Sequence, residues 1–544
     1  MQQVQESAVE DQSLLSQRLD KVESKLDDLA SQLTNLSQLT RQVLDSLAEQ
    51  RASDQSSRAS DTVTVKTPQQ DPPVSQQGHN LTIGPGIDLW WLTSNFRTNN
   101  QPSLIPAENA RSAFVAFFKH AHGQPYTFFH EHTFWKDLDN GTLPDHLLFA
   151  VLSHSVRFTN DDFFRGRALL LSRLFANISW KMITTLYFQD RAEADLATVK
   201  TITLLSISDF TSGCDTHASA WLKIGLAVRI AQDLRLMIDD PLSCMSNSAK
   251  EERRRVFWSV YTLDRLASCA RARPPAVVDA SCYLPLPCDE ELWRSDCASN
   301  ECRLDEALTK IQHGDHTPSF PALVVVLTSI LCRCTQSMLQ DDQDRQRHPP
   351  WDPQSDFAGI SSDLLALEGH FETPIRDTLL LSCSAEGVEI DPGVVGSLIF
   401  SRTLFCLCHC LLNHPFLLRR RVLATQTRSP STFISRSLQT SREYATRLVQ
   451  ELNSAQKAGY HMTSSFYAYA STVAASIHVI HMNATDEVVR DSSSEAFALC
   501  YQLVTDLSRY WPSCELIVSF GLSIPSPVAP VFRTANLELP ESSA

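Results

Sequence analysis

The chain has 544 residues, of which 43% are hydrophobic, and its formal net charge is −15. This length exceeds what one hydrophobic core usually supports, so we expect two or more packed units with tails. The negative charge argues against a nucleic-acid-binding surface that extends over the whole chain.

The sequence also indicates a compartment. Residues 1–6 are polar and lack the basic start and apolar run of a signal peptide. No stretch reaches the roughly 18–20 uninterrupted apolar residues of a membrane span, since 321–334 is too short and Arg402 interrupts 398–418. The 15 cysteines are scattered through apolar stretches, as reduced core thiols are. We therefore expect a soluble, intracellular protein.

Residues 12–49 show the heptad pattern of an amphipathic helix, with apolar residues spaced alternately by four and three. The predicted dimerisation seam consists of Leu15, Leu19, Val22, Leu26, Leu29, Leu33, Leu36, Val43 and Leu47. Such a seam predicts a coiled coil and a homo- or hetero-oligomer, and it leaves the number of strands open. A helix that packs on its own globular domain is the alternative.

The remaining chain divides by composition. Residues 50–88 are rich in Ser, Asp, Gln, Thr and Pro and read as a disordered linker. Residues 109–525 carry mostly helical patterns and little strand-like alternation, whereas 526–544 read as a loose tail. The predicted fold class is therefore all-α, with an N-terminal coiled-coil helix, a flexible linker and a large multi-helical domain.

Two adjacent helices within this domain carry the clearest pattern. Apolar residues from Ala218 through Trp221 to Leu234 follow helical spacing on most sides, which predicts a buried helix. The next helix is predicted to start at a capping box formed by Ser248 and Glu251. Pro274-Pro275 is predicted to end it.

These helices carry a resemblance to a known family. The motifs are WLKIGLAVRIAQDL at 221–234, RRRVFWSVYTLDR at 253–265, Arg273-Pro274-Pro275, and LPLP at 284–287. Together they make the segment 218–293 resemble the fungal-specific transcription factor domain, or middle homology region, of fungal zinc-cluster transcription regulators. Weaker similarity extends the likeness over 109–525, which the resemblance implies is a helical regulatory domain.

The resemblance implies a nuclear regulator of RNA polymerase II genes. Family members hold zinc in a cysteine cluster that contacts DNA and is followed by a coiled coil, but this chain has no cysteine before Cys214. Because zinc clusters need thiolate ligands, we expect no metal and no cofactor in this chain. DNA contact would then come from a cysteine module encoded upstream, or from a partner that pairs with a DNA-binding-deficient chain through 12–49.

Candidate chemistry is sparse. Cys406-x-Cys408-His409-Cys410 is predicted to be a core helix, because its spacing does not converge on a metal. His130-Glu131-His132 lacks metalloprotease spacing and is predicted to be structural or capping. Arg253-Arg254-Arg255 is predicted to be a solvated helix end that pairs with acids, and Asp264-Arg265 an internal ion pair.

No catalytic motif is recognisable in the sequence, so an enzyme is not expected. A helical binding or sensor protein that never touches transcription is the alternative from another functional class.

Overall fold

The computed structural model describes residues 105–190, 192–213, 216–239, 244–269, 273–339, 348–373, 391–424 and 428–515. Within these ranges the chain forms helices and no strand, with only two isolated bridges. The all-α prediction is therefore confirmed for the domain. The predicted coiled coil at 12–49 with its seam residues, the linker at 50–88 and the tail at 526–544 lie outside the described residues.

The helices range in length from 5 to 27 residues. In chain order they are α1 (Ala107–His120), α2 (Glu131–Asp139), α3 (Asp145–Ser155), α4 (Ala168–Thr184), α5 (Leu196–Ser212), α6 (His217–Asp233), α7 (Asn247–Cys269), α8 (Glu290–Arg294), α9 (Leu304–His313), α10 (Phe320–Leu339), α11 (Asp356–Leu367), α12 (Pro392–Leu412), α13 (Pro415–Ala424), α14 (Ser431–Lys457), α15 (Phe466–His481) and α16 (Glu487–Ser508). A π-helical turn at Thr185–Gln189 extends α4, and 3₁₀ turns occupy Asp279–Ser281 and Glu368–Phe371.

The centre of the domain is built by α10 and α12, which pack along each other. Within the described residues these are the two helices long and apolar enough to cross a membrane, by length and composition alone, and both are mostly buried inside the domain. α12 also packs against α14 and α15, and α15 packs against α16. The two apolar helices therefore serve as the interior of a packed helical domain.

The first signature helix forms where the sequence predicts it, as α6, but it is not buried all round. Its buried stripe runs through Ala220, Ile224 and Ala231, against α5 and α7. Trp221 lies at the edge of this stripe and is 45% exposed, so its predicted burial was wrong. The Arg273 guanidinium lies 5.0 Å from the centroid of the Trp221 ring and partly covers it.

The second signature helix, α7, starts two residues earlier than predicted, at Asn247 rather than after Ser248. The Ser246 hydroxyl accepts a hydrogen bond from the Ala249 amide at 3.2 Å and caps the first turn. Glu251 is buried and turns towards arginines of its own helix. The predicted capping box is therefore wrong, because the fold uses the Glu251 carboxylate in its interior.

The segment after α1 is fixed against distant parts of the chain. Gly123 has a φ of 83°, and its carbonyl oxygen lies where a Cβ on Gly396 of α12 would be. The Gln124 side chain donates to the His461 carbonyl at 2.9 Å and accepts from the Thr463 amide at 2.7 Å. These contacts join the start of the domain to α12 and to the turn that precedes α15.

Candidate functional site

A cavity of about 360 Å³ lies where the beginning, the middle and the end of the described chain meet. Its walls come from α1 and the segment that follows it, from α3 and α5, from the C-terminal half of α7, from the start of α15, and from the residues after α16. The signature helix α7 therefore forms one side of the cavity.

The wall is overwhelmingly apolar. Its apolar and aromatic members are Phe117, Ala121, Tyr126, Phe128, Phe158, Leu204, Ile207, Phe210, Leu263, Leu266, Ala267, Phe466, Tyr469, Trp511 and Cys514. Its polar members are Gln124, His154, Thr211, His217, Thr463, Ser464, Ser465 and Ser513. Of the lining residues that the structure describes, none is an aspartate, glutamate, lysine or arginine.

The cavity is lined by members of two separate hydrophobic clusters. Ile207, Leu263 and Ala267 pack with Ile224 in a small cluster of their own. Other wall residues, such as Leu204, belong to the main core of the domain. Protein interiors are normally close-packed. An unfilled cavity between the small cluster and the main core is therefore a feature of this fold that needs an explanation.

Burial keeps four ionisable groups of the wall, His154, Cys514, Tyr126 and Tyr469, neutral near neutral pH. It lowers the pKa of His154 to about 3, with a further contribution from Arg157 nearby. It raises the pKa of Cys514 to about 12 and also raises the pKa values of Tyr126 and Tyr469. The interior of the cavity therefore holds no formal charge from these groups.

Most polar groups of the wall are already engaged in the fold. The Trp511 indole donates to the Thr463 carbonyl at 2.5 Å, and His217 bonds to the Phe210 carbonyl at 2.9 Å. His154 differs, because its Nδ1 is buried with no hydrogen-bond partner within the described part of the chain. Its ring centroid lies 5.4 Å from that of Trp511.

The N-terminal half of α7 carries a buried ionic network. The Glu251 carboxylate accepts from Arg255 Nε at 3.0 Å and from the Cys288 amide at 2.9 Å. Arg255 also pairs with Glu290 and donates to the Cys288 carbonyl at 2.6 Å. Its guanidinium lies 4.0 Å from the centroid of the Trp293 ring. This network fixes the LPLP segment and α8 against α7.

The outcome for the arginine run is mixed. Arg254 and Arg255 pair with acids, as predicted, but both are buried, so the expected solvated helix end was wrong. The reason is that the next elements of the chain, through Cys288 and Glu290, fold over this end of α7 and supply partners that exclude water.

The predicted Asp264–Arg265 pair is present but weak, with Nη1 and Oδ2 3.8 Å apart. The Asp264 carboxylate instead accepts from the Ala276 amide at 2.8 Å and the Val277 amide at 3.0 Å. Burial raises its pKa, and the two amides oppose that shift. Arg265 pairs with Asp279. The two side chains therefore anchor the proline-rich segment to α7.

The remaining cysteine-rich candidate lies in the core helix that the sequence predicts. Cys406, Cys408 and Cys410 are fully buried in α12, and the His409 ring stacks on Tyr444 with a centroid separation of 3.7 Å. Across the described ranges no group of three or more His, Cys, Asp or Glu side chains is placed to hold a metal ion.

The His130 ring accepts from the Thr133 amide at 3.4 Å and caps α2, as the sequence indicated. The cavity, in contrast, was missed. Its wall residues carry no pattern that distinguishes them from ordinary core, so no sequence signal was available to find it.

Comparison with known proteins finds one family model that matches part of the chain. Residues 115–370 match the family model of the fungal specific transcription factor domain, which confirms the resemblance seen at 218–293. The chain is similar to the Zn(2)-C6 fungal-type transcription factor FTF1c of Fusarium oxysporum f. sp. lycopersici, with 22% identity over 417 residues. That alignment covers 73% of this chain and 43% of the relative.

Two transcriptional regulatory proteins of Schizosaccharomyces pombe are also similar. One is 29% identical over 284 residues, which cover 48% of this chain and 28% of that protein. The other is 22% identical over 477 residues, which cover 78% of this chain and 65% of that protein. The chain thus spans less than half the length of the Fusarium relative. No solved structure matches the chain.

Proposed function

We propose that this chain, which carries a fungal specific transcription factor domain, is the dimerisation and regulatory part of a nuclear regulator of RNA polymerase II genes. The observation that carries the proposal is the match over 115–370, together with similarity to a Zn(2)-C6 transcription factor outside that range. The network at α7 supports it, since the signature residues there hold the fold together, as expected of a regulatory domain.

The first test is transcriptional output. The chain is fused to an unrelated DNA-binding module and recruited to a reporter promoter transcribed by RNA polymerase II. We expect reporter mRNA to change several-fold in either direction, and the change to disappear when the polymerase is inhibited. The same fusion with Arg255→Met, which breaks the α7 network, should lose this change. An unchanged reporter, with the chain outside the nucleus, would favour a helical binding or sensor protein instead.

The second part of the proposal concerns oligomerisation through 12–49. The heptad seam of nine apolar residues supports it, because each well-buried leucine contributes about 1.5–3 kcal/mol. Light scattering on the full chain should give at least twice the 60.9 kDa mass of one copy. Leu26→Pro should return the mass to that of one copy, because proline breaks the helix. Ser56→Pro, in the predicted linker, is the control that should change nothing. If Leu26→Pro keeps the native mass, 12–49 is not the seam.

The third part concerns DNA. Residues 11–50 carry seven acidic and four basic side chains, and no cysteine precedes Cys214, which supports a DNA contact made elsewhere. We propose that a zinc-cluster module outside these 544 residues, or a zinc-cluster partner, supplies it. A selection of bound duplexes from a random library should yield no enriched sequence for this chain alone. Enrichment of one sequence would contradict the proposal.

The two sources of DNA contact are separated by the nucleotide sequence upstream of Met1. A cysteine cluster in the same reading frame supports a longer zinc-cluster protein. An in-frame stop immediately upstream supports a chain that pairs with a DNA-binding partner. Either result can be checked by mapping the 5′ end of the transcript.

A further inference from the structure

We propose that the cavity beside α7 is a binding site for an uncharged, largely apolar small molecule, and that this molecule is an effector of the domain. The claim that a molecule binds here rests on the geometry of the cavity alone. The claim that this molecule is an effector rests on the regulatory function proposed above. Nothing in the family match assigns a ligand to these residues.

The first argument is size and shape. The cavity volume of about 360 Å³ falls within the range of roughly 300–1,000 Å³ that is usual for small-molecule sites. Wall residues such as Phe128, Leu204 and Trp511 are buried, so a guest of this size would contact buried apolar side chains. Cavities with apolar walls stay dry and accept apolar guests rather than water.

The second argument is the absence of charge. No acidic, lysine or arginine side chain is found among the described lining residues, so a charged guest would lose its hydration without gaining a counterion. The nearby cation, Arg157, lies over the Trp511 ring at 4.2 Å and donates to the Tyr510 carbonyl at 3.1 Å. It is thus occupied by the fold, and the site selects for neutral molecules.

The third argument is one polar side chain of the wall that has an unpaired ring nitrogen. His154 is 94% buried, and its Nδ1 has no hydrogen-bond partner among the residues described. A neutral imidazole has one donor and one acceptor nitrogen, and it is unfavourable to leave a buried polar atom unpaired. Because His154 lines the cavity, a guest with one hydroxyl or carbonyl group would lie beside this imidazole, whereas a pure hydrocarbon would offer it no partner.

The position of the cavity explains how a guest would act on the domain. Leu263 and Ala267 of α7 face it from one side, and Phe466 and Trp511, from the end of the described chain, face it from another. Leu263 and Ala267 belong to the small cluster, which is separate from the main core. A guest would therefore lie between the small cluster and the main core, both of which pack against Tyr126, and would stabilise the folded domain because it binds the folded state and not the unfolded chain.

The test uses two matched fluorescent probes and the purified full chain. N-phenyl-1-naphthylamine is neutral, and 1-anilinonaphthalene-8-sulfonate is the same skeleton with an anionic sulfonate. We expect the neutral probe to bind with one site per chain and to raise the unfolding midpoint. The anionic probe should bind at least about tenfold more weakly. Equal affinity for both probes would overturn the proposed selectivity.

A cavity-filling variant locates the site. Ala267→Phe places a ring in the cavity from α7 and should weaken the neutral probe at least about tenfold, with an unfolding midpoint at or above that of the wild type. Leu365→Phe, at a 68% exposed position, is the control and should leave binding unchanged. If Ala267→Phe does not fold, Leu204→Trp fills the same space from α5. Unchanged probe affinity in a folded filling variant overturns the proposal.

The binding measurement and the reporter measurement test separate claims, so either claim can be refuted without the other. A chain that binds the neutral probe but leaves the reporter unchanged keeps the site and loses the regulatory function. A chain that alters the reporter but does not bind the probe loses the site. The effector role itself predicts that Ala267→Phe shifts reporter output several-fold relative to Leu365→Phe, and equal output from the two fusions overturns that role.

Discussion

Replacing Arg255 by methionine is the sharpest test of what holds the signature segment together. The Arg255 side chain is fully buried and is bonded to Glu251, Glu290 and the Cys288 carbonyl. Methionine retains most of the apolar volume but removes the positive charge, which leaves the buried Glu290 carboxylate without its closest partner. Breaking a buried ion pair from one side costs about 3–5 kcal/mol.

This cost can be read from urea unfolding followed by circular dichroism. With a denaturant dependence of about 3 kcal/mol/M, the midpoint should fall by about 1–1.7 M. The control is Arg165→Met, because Arg165 pairs with Asp162 at 2.8 Å on the surface, with both side chains more than three-quarters exposed. That pair should contribute about 0–1 kcal/mol at most.

A double variant separates charge from packing. Adding Glu290→Gln to Arg255→Met removes the stranded carboxylate and should recover a large part of the lost stability. The reasoning is refuted if Arg255→Met shifts the midpoint no more than Arg165→Met does. It is also refuted if the double variant is less stable than Arg255→Met by the full cost of a second independent substitution.

Two further predictions concern packing and pH. Gly396→Ala should destabilise the domain by about 1–3 kcal/mol in the same assay, since its Cβ would overlap the Gly123 carbonyl oxygen. Gly359→Ala, in an exposed helical position with open space around it, should instead stabilise the domain by about 0.5–1 kcal/mol. Equal changes in stability for the two alanine variants would contradict the close approach of Gly396 to the Gly123 carbonyl oxygen. Burial lowers the pKa of His409 to about 3 from 6.5, so the unfolded chain takes up a proton first as the pH falls. Stability is therefore fully present above about pH 6.5 and is lost towards pH 3, by about 1.4 kcal/mol per pH unit for this group. His409→Phe, which keeps an aromatic ring against Tyr444, should reduce that slope in urea midpoints measured between about pH 7 and about pH 5, and an unchanged slope would show that other groups carry it.

The helices of the signature were predictable because their pattern is local. The spacing of apolar residues through 218–234 gives a helix whatever it packs against, and α6 forms there. The spacing of apolar residues predicts which face of a helix is apolar, but it does not predict which residues pack against that face. Trp221 was therefore misplaced, and Arg255 was assigned to solvent, because its partner Glu290 comes from an element 35 residues later.

The cavity was not predictable for a related reason. A cavity is a place where side chains fail to touch, and each wall residue has the same local pattern as a core residue. Its walls come together only through contacts such as that of Gln124 with the His461 carbonyl, which spans 337 residues. The local pattern of a single sequence does not indicate which distant segments come into contact in the folded domain.

The bond between Gln124 and the turn before α15 has a consequence for synthesis. A ribosome that adds about 5–20 residues per second needs roughly 20–70 s to pass from Gln124 to Thr463. During that interval the aromatic wall after α1 lacks its final covering, and a polypeptide released at residue 370 would never acquire it. The family model matches only residues 115–370. The segment that must be synthesised before the nascent chain can close its interior is longer, because it extends at least to Thr463.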